Sequence, residues 1–205
     1  MSFLIQNRNC NVQKLYLCEK YYDMLKFLRH ICQLIMSPGN GWEDISYSGD
    51  DPSKLATAGL YPLFALASVS IFVQYFYESN LELVTLLQYA IITFAQFFIT
   101  YFCAMVIFAS TMEKCVEGDL NEKKYITVIT YSLAIMSLIT FVQNLIPVEI
   151  SIVYFLYLYI GVVLWKSTRY LAVKENETVR FMVIAISSIL GIPYLIGALM
   201  RFLIV

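Results

Sequence analysis

The chain has 205 residues, of which 60% are hydrophobic and 14% charged, and its formal net charge is -1. Such sparse, balanced charge leaves no basic surface for nucleic acid, and the apolar content exceeds that of an ordinary water-soluble domain. The five cysteines, Cys10, Cys18, Cys32, Cys103 and Cys115, show no C-x-x-C spacing, which predicts no disulfide framework or thiol-based redox motif.

Residues 1–13 are polar and mixed, without the early apolar core of a cleavable signal, so the first span is expected to act as the targeting signal. Over about 14–36, Leu17, Tyr21, Met24, Leu28, Ile31 and Ile35 recur at alternating steps of four and three, which predicts an amphipathic helix. Its apolar stripe suits the surface of the bilayer, with a partner protein as the other reading. Pro38 and the glycines after it end the helix, because the residue before a proline is pushed out of helical geometry. His30 and Cys32 supply two possible metal ligands where a zinc site needs more, so no metal or cofactor is expected.

Five apolar stretches follow, at about 55–77, 83–112, 125–148, 150–165 and 181–200. Crossing a hydrocarbon core of about 30 Å takes roughly 20 helical residues, so four stretches span comfortably and the fourth is short. The fold class expected is therefore all-α: a polytopic membrane protein with five transmembrane helices (55–205) preceded by a cytoplasmic arm (1–54) carrying the amphipathic helix. Every one of the 14 Lys and Arg residues except Arg201 falls in the arm or in the connections after the second and fourth stretches. By the positive-inside rule the amino terminus is cytoplasmic and the carboxyl terminus outside. Trp42 and Trp165 suit interfacial anchoring.

No Asp, Glu, Lys, Arg or His occupies the central part of any stretch, which disfavours proton relays and ion-coupled transport. A membrane hydrolase would need a nucleophile and base at bilayer depth, and Cys103 has no such neighbour in sequence, so no enzyme is expected. The second stretch carries a polar stripe of Thr85, Gln88, Gln96, Thr100 and Cys103. These residues read as hydrogen-bonding glue to hydroxyls on the other spans, or as the wall of a polar pathway. A cavity lined by Gln88 and Gln96 would favour the pathway, a packed interior the glue. Gly191 and Pro193 predict a kink in the fifth stretch, and Pro62 a milder distortion early in the first. Pro147 predicts a tight hairpin turn between the third and fourth.

The string Ile35-Met36-Ser37-Pro38-Gly39-Asn40-Gly41-Trp42-Glu43-Asp44-Ile45, then Leu60-Tyr61-Pro62-Leu63-Phe64, Tyr131-Ser132-Leu133 and Ile146-Pro147, resembles the Yip family of five-span membrane proteins (Ypt/Rab-interacting proteins), in its compact bacterial branch. The resemblance covers roughly residues 30–205, with Ser37, Pro38, Trp42, Pro62, Tyr131, Ser132 and Pro147 as its family-like positions. It implies a non-enzymatic scaffold or adaptor in membrane organisation or trafficking. That role would be played in a bacterial inner membrane, or in Golgi or ER membranes if the chain is eukaryotic. The expected partners are the lipid bilayer and membrane or cytoplasmic proteins, with homo-oligomers possible. The alternative function is a small transporter or channel-forming oligomer for a neutral or lipidic substrate.

Overall fold

The computed structural model describes residues 20–77, 82–118, 121–146 and 151–204, and all its extended regular structure is helical. Helix α1 covers 20–36 and α2 Pro38–Ser48. Helix α3 is continuous over Pro52–Phe76, α4 over Leu83–Lys114 and α5 over Glu122–Leu145. Helix α6 is Ser151–Tyr170, and α7 runs from Glu175 to Ile204. Four of these, α3, α4, α5 and α7, are long and apolar enough to cross a membrane, the signature of an integral membrane protein. Leu17, Arg8, Lys14 and Pro147 lie outside the described residues.

Helix α5 is the centre of the bundle. Of its most apolar window 72% is buried inside the protein, against 33% for α4 and 22% for the α7 window. It packs on α3, α4 and α6, while α7 leans mainly on α4. The segments after α4 and after α6 are clasped at the lysine-rich end by an isolated antiparallel bridge between Val116 and Val173. There Glu117 N donates to Ala172 O and Lys174 N to Cys115 O, each at 2.9 Å. Cys115 is buried beneath this clasp, and burial pushes its thiol pKa up.

Both interior prolines are absorbed by the same device. A proline cannot donate to the carbonyl four residues back and its ring collides with it. In α3 the turn Ala56–Leu60, just before Pro62, widens to π geometry, and in α7 the turn Ser187–Gly191, just before Pro193, does the same. The helices continue through these turns, and the distortion expected at Pro62 and at Gly191–Pro193 takes the form of one widened turn in each. The other end of α3 tightens to 3-10 geometry over Ser70–Phe76. Asn144 of α5 braces this change of winding: its Nδ2 donates to Ala67 O at 3.2 Å and to Ser70 Oγ at 2.9 Å, while Gln74 Nε2 donates to its Oδ1 at 3.2 Å.

The arm differs from its sequence reading. Pro38 does end α1, with Ser37 at φ -150°, but it also starts α2 from the first helical position, and the two helices fold back on each other as a hairpin. The inward face of α1 is Phe27, His30, Ile31 and Leu34, so it is rotated from the predicted stripe. Ile31 is fully buried, Met24 and Leu28 are half-buried, and Tyr21 and Ile35 are exposed. Trp42 is no interfacial anchor: it is 2% exposed, its Nε1 donates to Val163 O at 3.0 Å, and its ring stacks on Tyr170 at 5.3 Å. Trp165 does stay on the surface.

Tyr131, fully buried on α5, is where the hairpin meets the bundle. Its ring stacks on Phe27 at 5.0 Å and meets Trp42 edge-on at 6.2 Å, and its hydroxyl shares a hydrogen bond of 3.0 Å with His30 Nδ1. Burial pushes the His30 pKa down, which keeps the imidazole neutral at pH 7 and suits a desolvated hydrogen bond. Gly59, in the π turn of α3, lets Phe27 lie directly on the helix backbone: a Cβ there would sit 2.2 Å from Phe27 Cδ1. Neighbouring Ser132 is buried with its Oγ unpartnered.

Candidate functional site: a polar cavity between four helices

At the end of the bundle away from the lysines, α3, α4, α5 and α7 part around a cavity of about 580 Å³, with one α6 side chain reaching in. That volume lies within the range of small-molecule sites. Four amides converge on it from three helices: Gln74 of α3, Gln96 of α4, and Gln143 and Asn144 of α5. Thr93 and Thr140 add hydroxyls, and Tyr89, Tyr157 and Tyr194 add phenols.

The arrangement is built as much as open. Tyr157 of α6 donates to Gln143 Oε1 at 2.8 Å, and its ring meets Tyr194 of α7 edge-on at 6.2 Å. Gln143 is thereby held from one side, as Asn144 is held by Gln74 and Ser70. Gly197 of α7 faces the Gln96 amide so closely that a Cβ would lie 2.8 Å from Oε1. Arg201, at the rim, stands over the Tyr89 ring at 6.0 Å. The floor is apolar: Phe97 is 1% exposed and stacks on Phe64 at 5.1 Å, and below it lies the packed core running to Tyr131. The cavity therefore ends inside the protein instead of running through it.

Among the described residues the lining contains amides, hydroxyls, phenols and one guanidinium, with no Asp, Glu, His or Cys. This set can bind and orient polar groups by hydrogen bonding, and it offers no side-chain base for general acid–base chemistry. Among the described residues no group of three His, Cys, Asp or Glu is placed to hold a metal ion. His30 faces inward to Tyr131 and Cys32 is exposed, on different sides of α1.

The predicted polar stripe is divided by the structure. Gln96 lines the cavity, Gln88 is exposed on the outside of α4, and Thr100 is buried with its Oγ1 donating to Gln96 O at 2.6 Å. Eight residues advance a helix by about 80°, which is enough to take Gln88 off the face of Gln96. The hydroxyls expected to glue neighbouring helices donate their protons to their own: Ser68 to Phe64 O, Thr130 to Ile126 O, Ser137 to Ala134 O and Ser188 to Ile184 O. Amides and phenols donate the cross-helix bonds, and Ser70 Oγ accepts one of them from Asn144. Gln74, Gln143 and Asn144 near the same end of two spans, with Gln96 partway along a third, were the available signal for the cavity. No family model, curated protein or solved structure matches the chain.

Proposed function

We propose that this is a non-enzymatic integral membrane protein of five spans, with its lysine-rich end in the cytoplasm, that receives the polar part of a small neutral molecule or lipid headgroup in its outward-facing cavity. The convergence of four amides on one cavity carries this reading: Asn144 is buried and satisfied within the protein, whereas Gln74, Gln96 and Gln143 are half-buried on the cavity wall, where their amides can hydrogen-bond a polar group that enters. Helix α6 is taken as the fifth span: its described exposed side chains include Phe155, Leu158 and Val162, a surface suited to lipid. The distribution of Lys and Arg supports the orientation, with Arg201 reaching the outer headgroups. The sealed floor favours ligand binding, or one closed state of a transporter, over an open channel.

A scaffold or adaptor role in membrane organisation, of the kind the Yip-like motifs suggest, is the second reading. The dense packing of the cytoplasmic half around Tyr131 favours it, since that half offers a rigid platform and no pathway. The two readings separate at Gly197. A leucine there would fill the cavity in front of Gln96. Native mass spectrometry of the protein extracted from its membrane should detect a retained small molecule or lipid, with occupancy at least about tenfold lower in Gly197→Leu, or about 1.4 kcal/mol. A parent protein that retains nothing would move the balance to the scaffold.

A further inference from the structure

The hairpin of α1 and α2 stands upright against the bundle. Near its open end Lys26 and Asp50 form an ion pair at 2.6 Å, and higher up Gln33 donates to Asp44. Just below the tip Gly41 lies so close to Leu34 that a Cβ would be 3.0 Å from the Leu34 Cα. From Lys26 to Met36 the first leg climbs roughly 15 Å at 1.5 Å per residue.

Helix α6 measures the same height independently. Trp42 is tied to Val163 O, and higher still the Tyr159 hydroxyl donates to Ile35 O at 2.6 Å and reaches Leu34 O at 3.3 Å. Tyr159 lies roughly 16 Å along α6 from Tyr170, and roughly 10 Å beyond Lys166, where the charged end of the helix begins. The tip of the hairpin is therefore well inside the level at which α6 becomes apolar. A chain reversal at that depth needs its backbone satisfied within the protein. The Tyr159 hydroxyl supplies this for the last carbonyls of α1, while Ser37 N donates to Gln33 O at 2.8 Å and Gly41 N to Ser37 O at 2.9 Å. At the tip the outward residues are Ile35, Met36, Gly39 and Asn40, with the large apolar Met36 the most prominent at 87% exposed.

We infer that the hairpin is re-entrant: it enters and leaves on the cytoplasmic side, and its tip, with Ile35 and Met36, rests against the acyl chains of that leaflet. The Lys26–Asp50 pair then sits at headgroup depth, and the Gln33–Asp44 pair lies roughly 10 Å deeper along α1, where each partner satisfies the other. This inference rests on α6 being a span, since α6 supplies the ruler.

The test places an environment-sensitive fluorophore at single cysteines, in a background with the native cysteines replaced by Ala or Ser, reconstituted in phosphatidylcholine vesicles. The sites are Met36→Cys at the tip, Tyr47→Cys at the other end of α2 and Leu158→Cys on the exposed face of α6. Met36 and Leu158 should be quenched by lipids brominated in mid-chain, with iodide quenching at least about threefold weaker than at Tyr47. A Met36 label as open to iodide as Tyr47, with Leu158 still quenched by lipid, would overturn the re-entrant hairpin alone. A Leu158 label open to iodide would overturn it together with the fifth span.

Discussion

Tyr131→Ala should destabilise the protein by about 3–5 kcal/mol, the range for removing a large buried aromatic side chain. The magnitude follows from what one ring holds: the stack on Phe27, the edge contact to Trp42 and the hydrogen bond to His30 all end there. Removing it leaves a cavity between α5 and the hairpin and strands a buried imidazole. Tyr131→Phe keeps the ring and loses only the hydroxyl, so it should cost about 1–2 kcal/mol. Thermal unfolding in detergent measures both. Limited proteolysis of residues 20–50 should show the hairpin loosening in the alanine variant before the bundle unfolds. Equal costs for the two variants would mean that the ring contacts contribute little to docking.

Gly59→Ala is the second large effect, and it arises from a single added carbon. That Cβ would lie 2.2, 2.5 and 2.6 Å from three Phe27 ring atoms, and any retreat of Phe27 disturbs its stack on Tyr131. Overpacking of this kind costs about 1–3 kcal/mol, and the stacked ring puts Gly59 near the upper end. In a Phe27→Ala background the same substitution should cost less than about 0.5 kcal/mol, because the colliding atoms are gone. A double-mutant cycle reads the coupling directly. Additive effects would show that Gly59 serves the π turn of α3 and not the seat of the hairpin.

The four helices long and apolar enough to cross a membrane were legible in the sequence because hydropathy over about 20 residues reports such helices directly. The stretch 83–112 emerged as Leu83–Thr111, and the third and fifth helices begin only a few residues earlier than read. The fourth was read as ending at Trp165, whereas α6 continues to Tyr170. Its last turn is charged, and a hydropathy boundary marks where lipid would stop, which need not be where the helix stops. Trp42 was misread for a related reason. A tryptophan before a span has the composition of an anchor, and only the return of α2 against α6 shows that its indole is enclosed.

The candidate site was legible by composition and not by geometry. Gln96 stood out as an amide in an apolar run, but pairing it with Gln88 ignored the turn of the helix between them. Asn144 carries no signal in the sequence because it sits at the end of a span, where polar residues are ordinary. Its role depends on the change of winding at Ser70–Phe76, which exists only once α3 and α5 are packed together.

The polar cavity is proposed to face outward above a closed floor, and labelling of Gln96→Cys in a cysteine-free background tests this most directly. In sealed vesicles or cells, a membrane-impermeant thiol reagent added outside should modify this position, and the same reagent confined to the cytoplasmic side should leave it untouched. The Gly197→Leu substitution should slow the outside reaction by at least about tenfold. Protection from both sides would mean that Gln96 is packed and the cavity closed to water, while equal reaction from both sides would mean that the Phe64–Phe97 floor does not seal it; either result contradicts the account.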